Sequence, residues 1–127
     1  MNPIQFGSDA IMTLDEFKKE MLAYRKAADK EAISRKESNL AWQSLHDMYQ
    51  NFNAKERAMA DQVLEEWVSS DDENVRYDAL VLIGDFKIVS VVPALRALAS
   101  RLASSTTPDA PYELNKINRI IESFPAM

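Results

Sequence analysis

Cysteine is absent from this chain, so disulfide frameworks and thiolate metal sites are excluded, and a cytoplasmic location is the default expectation. Glycine occurs only twice, at Gly7 and Gly84, which leaves few positions for tight β-turns and favours helices. The glycine-rich phosphate-binding motifs, the zinc-protease HExxH motif and the nucleophile motif GxSxG are also missing. We therefore expect a protein that is not an enzyme and that needs no metal or organic cofactor.

Long apolar runs are missing too, since none reaches the roughly 18 residues that a membrane span requires. Residues 1–12 have neither a basic region nor a continuous apolar stretch, so we expect no secretion signal and no membrane anchor. Acidic side chains outnumber basic ones by 20 to 15, which gives a net charge of -5. This charge repels nucleic acid phosphates, and the lysines alternate with acids as on a solvated helix face, so no nucleic acid partner is expected.

The apolar residues, 46% of the chain, recur at helical spacing along most of its 127 residues. This length fits a single helical domain over residues 1–127. We predict about six helices: N-terminal helices within residues 13–53, a central unit over 54–103 and a last helix over 111–124. The spacing leaves open whether residues 13–50 form one helix or two.

Helix-start signals and apolar stripes define each predicted helix. The predicted starts are Thr13 with Glu16, Asn53 with Glu56, Asp71 or Asp72, Ser90 and Pro111. The side chains predicted to face inward are Phe17, Met21, Tyr24 and Ala28, then Ala41, Leu45, Met48 and Phe52, then Ala60, Val63, Leu64, Trp67 and Val68, then Val75, Ala79, Leu82, Ile83 and Phe86, then Leu95, Leu98 and Leu102, and finally Leu114, Ile117, Ile120, Ile121 and Phe124. The β-branched run KIVSVVP is interpreted as a connector between helices, because a lone strand has no partner.

One stretch, DDENVRYDALVLIGDFKIVSVVPAL, carries a recognisable pattern. Its ordered positions are Asp72, Val75, Arg76, Ala79, Leu82, Ile83, Gly84, Phe86, Pro93, Ala94 and Leu95. This spacing resembles a HEAT-type repeat, particularly the short bacterial HEAT-like form, and with the preceding helix the resemblance covers residues 54–103. It implies an all-α fold, a short right-handed stack of antiparallel helix pairs.

In that family the acidic residue closes the turn between paired helices, the arginine bonds to the turn and the glycine permits a tight exit, so the resemblance implies these roles for Asp72, Arg76 and Gly84. The signature occurs once in this chain. Because one solenoid unit cannot bury its own apolar face, we expect the flanking helices to supply the missing layers. Such stacks generally present binding surfaces.

Acidic residues concentrate between positions 61 and 85, where Arg76 is the one basic residue. This acidic band consists of Asp61, Glu65, Glu66, Asp71, Asp72, Glu73, Asp78 and Asp85. The helix that begins in the band has four side chains lying away from its predicted buried face: Tyr77, Asp78, Val81 and Asp85. The resemblance implies that this helix lines a concave surface, so we predict these four residues as the partner-binding site. The alternative is that the acids only make the protein soluble.

These observations favour a non-enzymatic module that binds another protein. Within that class, small acidic HEAT-like proteins without cysteine resemble bacterial immunity proteins, which implies a cytoplasmic protein that neutralises a basic toxin domain. The alternative is an adaptor or regulatory subunit of an endogenous enzyme. An enzyme would need a catalytic constellation, and the lone histidine, His46, is assigned a surface or packing role because the sequence identifies no partner for it.

Overall fold

A computed structural model of the protein describes residues 13–37 and 40–124. Within these residues the regular structure consists of six α-helices and one short 3-10 turn, with no strand. The helices are α1 (Leu14–Arg35), α2 (Leu40–Asn51), α3 (Ala54–Val68), α4 (Glu73–Phe86), α5 (Val92–Ala103) and α6 (Ala110–Glu122). The predicted all-α class with six helices in packed pairs is confirmed.

Packing divides the chain into two compact units, Met1–Val63 and Leu64–Met127, and the division falls inside α3. In the first unit, α1 packs along α2. In the second unit, α6 packs against both α5 and α4. The single domain over residues 1–127 stays a prediction.

The end of α1 answers the question that the apolar spacing left open. Lys36 follows α1 in the left-handed conformation, with φ of 55°, and its N–H donates to the carbonyls of Ala32 and Ile33. A residue with positive φ cannot continue a right-handed helix, so α1 ends here. The next helix, α2, begins at Leu40. Residues 13–50 therefore form two helices.

The core of the first unit follows the predicted stripes closely. Its fully buried members include Phe17, Met21 and Leu45, and the ring of Phe17 lies 5.3 Å from that of Phe52, centroid to centroid. Tyr24 and Ala41 were also predicted to face inward but are half-buried. The stripes omit Arg25, Ala32 and Tyr49, which are buried as well.

Two helix starts in this unit use the predicted capping pairs, in different ways. At Asn53 the pairing is reciprocal: the Glu56 N–H donates to Asn53 Oδ1 at 2.8 Å, and the Asn53 N–H donates to Glu56 Oε1 at 2.9 Å. At Thr13, Oγ1 accepts from the Glu16 N–H at 3.2 Å, but the hydroxyl itself donates to the Glu16 carboxylate at 3.0 Å. Asn53 therefore begins the complete capping box, although its sequence signal is the weaker one.

A tyrosine hydrogen bond connects the end of α2 to α3 within the first unit. The hydroxyl of Tyr49 donates to Asp61 Oδ1 at 2.7 Å, and the Arg57 guanidinium lies 5.0 Å from the Tyr49 ring centroid. Burial raises the pKa of Tyr49, and the hydrogen bond to the nearby Asp61 carboxylate raises it further. Burial also raises the pKa of Asp61, against the opposing effects of Tyr49 and Arg57.

The raised pKa of Tyr49 makes this contact sensitive to alkaline pH. An unfolded tyrosine ionises near pH 10, whereas folded Tyr49 keeps its proton, so its contribution to stability is complete below pH 10 and is lost as pH rises towards the folded pKa. We expect the stability advantage of wild type over Tyr49→Phe to shrink above pH 10 by up to about 1.4 kcal/mol per pH unit. Denaturant unfolding of both proteins at pH 8 and pH 11 measures this, and an advantage that does not change with pH would contradict it.

In the second unit the predicted buried faces are largely confirmed. Leu64, Trp67 and Val68 of α3 are buried, and so are four of the five residues predicted on α4. The residues that were predicted inward but are half-buried are Phe86, Leu114, Ile120 and Ile121. Leu80 of α4 is buried and was not predicted.

Two predictions about helix ends, the exit from α4 and the cap of α5, are wrong. Asp72 caps α4 as predicted, accepting from the Asn74 N–H at 2.9 Å. Gly84 does not form the exit from α4, because the helix continues to Phe86 and Lys87 takes the left-handed conformation with φ of 53°. Ser90 does not cap α5: it lies inside the 3-10 turn Val89–Val91, so the connector enters α5 through a tight turn of its own.

Candidate functional site

Arg76 joins α4 to α6 in the second unit. Its Nε and Nη2 donate to the two carboxylate oxygens of Glu113 at 2.8 and 2.9 Å, and its Nη1 donates to the Ser70 carbonyl at 3.0 Å. Both charged side chains are nearly buried, at 12% and 11% exposure. The hydrogen bond to Glu113 raises the pKa of Arg76 above its ordinary value, against the opposing effect of burial. Arg76 thus bonds to the turn before α4 and also fixes the first turn of α6.

Beside this ion pair, α4 and α6 leave an open groove of about 330 Å³, which we call the tyrosine groove. Its lining residues are Glu73, Tyr77, Leu80, Asp109, Tyr112, Glu113 and Lys116. Tyr77 is 48% exposed and Tyr112 is 74% exposed. The ammonium group of Lys116 lies over both rings, 4.2 Å from the Tyr77 centroid and 5.7 Å from the Tyr112 centroid.

A second depression of about 300 Å³ continues along the same pair of helices. Tyr112 and Lys116 line both spaces, so the two form one seam. The sign of the charged side chains changes along this seam, from acidic to basic. Carboxylates of Glu73 and Asp109 lie at the tyrosine groove, whereas Arg119 lines the second depression, where Lys87 Nζ donates to Ser123 Oγ at 2.9 Å.

The structure separates the four predicted binding residues into two neighbouring strips of α4. Tyr77 lies at the tyrosine groove, on the side of α4 that faces α6. Asp78, Val81 and Asp85 follow one another at helical spacing on the adjacent strip. Asp85 is exposed, and Asp78 and Val81 are half-buried. Tyr77 therefore lies at the boundary between the tyrosine groove and the strip of Asp78, Val81 and Asp85, which we call the acidic strip.

Two members of the acidic band have structural roles. Asp61 is half-buried and accepts the Tyr49 hydroxyl inside the first unit, so its carboxylate belongs to the packing of that unit. Asp72 is the cap of α4, as the capping interpretation predicts. The remaining members that stay exposed are Glu65, Glu66, Asp71, Glu73 and Asp85.

Tyr112 and Lys116 were missed by the sequence prediction. They lie 35 and 39 residues after Tyr77, and helical spacing along one segment carries no information about what a distant helix places beside it. A weaker signal was present: Tyr112 is an aromatic residue outside the predicted inward stripe of the last helix, four residues before a lysine. Such an off-stripe aromatic residue is a candidate surface contact.

The described residues contain no cluster of three or more His, Asp or Glu side chains arranged to hold a metal ion. His46 lies half-buried on α2. None of the helices in residues 13–37 and 40–124 combines the length and apolarity needed to cross a membrane, while residues 1–12 lie outside the described structure.

Comparison with known proteins assigns this chain to no family. A scan against protein-family models, a search of curated proteins and a search of solved structures each found no match to this chain.

Proposed function

We propose that this chain is a non-enzymatic protein-binding module, and that its partner docks on the exposed side of α4 at Tyr77, Asp78, Val81 and Asp85. The observation that carries the proposal is the exposure of Tyr77 and Tyr112 at the mouth of a groove. Tyrosine is enriched at protein interfaces because its ring provides apolar area and its hydroxyl a hydrogen bond. Two tyrosines at a groove, with the aliphatic Val81 on the adjacent strip, are suitable anchors for a protein partner.

The acidic residues around this surface indicate the charge of the proposed partner. Asp78 and Asp85 lie seven residues apart on α4, on either side of Val81, and Glu73 and Asp109 line the adjoining groove. Carboxylates arranged in this way attract a basic protein surface and speed its association. The partner is therefore a protein with a basic contact surface.

Within this class we favour a toxin-neutralising role, in which the acidic strip steers a basic toxin domain and the module covers its functional surface. This role extends the HEAT-like immunity resemblance. The adaptor role uses the same surface on an endogenous enzyme. A toxin-domain gene beside this one, and rescue of toxin-expressing cells by co-expression, would favour the first role; a neighbouring metabolic gene and no rescue would favour the second.

The binding experiment begins with a pull-down from the native host, with Asp78→Lys/Asp85→Lys as the matched bait. For the partner that wild type retains, we expect association on the order of tenfold slower with the variant at low salt, and a flatter salt dependence. Tyr77→Ala should weaken binding by about 2 kcal/mol, whereas Tyr77→Phe keeps the ring and should stay close to wild type. Equal affinity and equal salt dependence for all four proteins would contradict the proposed surface.

A further inference from the structure

The ammonium group of Lys116 occupies a position that an external cation also fits. It lies within 6 Å of two tyrosine ring centroids, the range in which a cation is attracted to an aromatic face. Tyr77 is about half exposed and Tyr112 is largely exposed, so a group arriving from outside can reach both rings. The groove also contains the carboxylates of Glu73 and Asp109, which favour positive charge.

From this arrangement we propose that the space between Tyr77 and Tyr112 is a subsite for an arginine side chain of the partner, and that Lys116 fills this subsite in the unbound protein. The inference rests on the proposed binding function and names the group that the tyrosine groove receives. Guanidinium suits the subsite better than ammonium, because it stacks flat on aromatic rings and pairs with carboxylates through two parallel hydrogen bonds.

Lys116 can withdraw from the rings by rotation about the bonds of its own side chain. It reaches the rings from α6 by a flexible four-carbon stem, and its contact with Tyr77 is at an exposed site, where cation–π attraction is weak. Glu113, by contrast, is held by Arg76 through two hydrogen bonds, so it stays in place as the floor of the groove. A partner arginine therefore competes with the Lys116 side chain, and removal of that side chain should favour the arginine.

The test uses the full-length protein with ¹³C-labelled tyrosine and N-acetyl-arginine amide as the probe. The chain has four tyrosines, so Tyr24 and Tyr49 of the first unit serve as internal controls for Tyr77 and Tyr112. We expect saturable ring shifts at Tyr77 and Tyr112 alone. The matched citrulline probe, which has the same shape without the charge, should cause no saturable shift. Shifts that do not saturate, that appear equally on all four tyrosines, or that citrulline reproduces would overturn the subsite.

Two variants and one further probe test the competition. Lys116→Ala should tighten binding of the arginine probe by about two- to fivefold, the value of an exposed cation–π contact. Lys55→Ala changes net charge equally but lies on an exposed turn of α3, and should leave the affinity unchanged. Equal affinities for Lys116→Ala and wild type would show that Lys116 does not fill the subsite. Tighter binding of N-acetyl-lysine amide than of the arginine probe would contradict the preference for guanidinium.

The probe titration is independent of the partner, so the two proposals fail separately. Unsaturable probe shifts, with a partner still sensitive to Asp78→Lys/Asp85→Lys, would remove the arginine subsite and leave the binding function. A partner insensitive to those charge changes would remove the proposed function, whatever the probe does.

Discussion

Replacement of Arg76 by methionine should lower the free energy of unfolding by about 3–5 kcal/mol. The change leaves the Glu113 carboxylate, 11% exposed, without its two charge-assisted hydrogen bonds, and it removes a donor from the Ser70 carbonyl. An ionised carboxylate left in a poorly solvated position is among the most costly defects in a folded protein. Denaturant unfolding of wild type and variant measures the loss.

The matched control for this prediction is the double variant Arg76→Met/Glu113→Leu. It removes both charges and fills their space with apolar groups of similar size, so we expect it to recover most of the lost stability. Arg76→Lys should fall between wild type and Arg76→Met, because a lysine cannot reproduce the two parallel bonds. A double variant as unstable as the single one would show that the defect does not come from the unpaired Glu113 carboxylate.

A loss of similar size, about 3–5 kcal/mol, is expected in the first unit for Phe17→Ala. Phe17 is fully buried, and its ring packs against Phe52 at a centroid distance of 5.3 Å. Truncation removes the apolar area of the ring and also leaves a cavity that the helices cannot fully close. Phe17→Leu keeps most of the volume and should lose roughly a third as much.

The control on the same helix is Leu22→Ala, because Leu22 is 37% exposed. Its side chain gives up less buried area on truncation, so the change in unfolding free energy should be well below that for Phe17→Ala. Thermal and denaturant unfolding of the three variants should therefore rank them as Phe17→Ala, Phe17→Leu and Leu22→Ala, from least to most stable. If Leu22→Ala matched Phe17→Ala, the packing described for α1 would be wrong.

Apolar spacing predicted the helices well because each buries one continuous face. All five residues predicted inward on α3, from Ala60 to Val68, are buried. Spacing failed for Arg25, which is only 8% exposed, because a charged residue is assigned to solvent by default. Arg25 lies 3.6 Å from Asp29 on the next turn, and its long apolar stem allows burial of everything except the charged end.

Helix ends were harder to predict where the residue type gave no signal. The HEAT resemblance placed the exit of α4 at Gly84, whereas the structure uses Lys36 and Lys87 in the left-handed conformation that usually favours glycine. Gly84 instead lies inside α4, where a Cβ would be 3.5 Å from Ile120. That distance is ordinary van der Waals contact, so an alanine would fit there without displacing α6.

Only part of the candidate site could be predicted from the sequence, because apolar spacing describes one helix at a time. Tyr77 could be found from its own helix, because it lies off the buried stripe among acids. Tyr112 and Lys116 required knowledge of which helix packs beside α4, a contact across which the Arg76–Glu113 pair joins residues 37 apart in sequence. Local periodicity contains no information about a contact of this range.

Two cations, Arg76 in α4 and Lys87 immediately after it, determine how a ligand meets the seam. Arg76 holds Glu113 at the first turn of α6, and Lys87 donates to Ser123 just beyond its last turn. These two contacts connect α4 to the beginning and the end of α6, and the tyrosine groove lies between them. A ligand entering there does not have to order or separate the helices, so little of its binding free energy is lost to reorganisation.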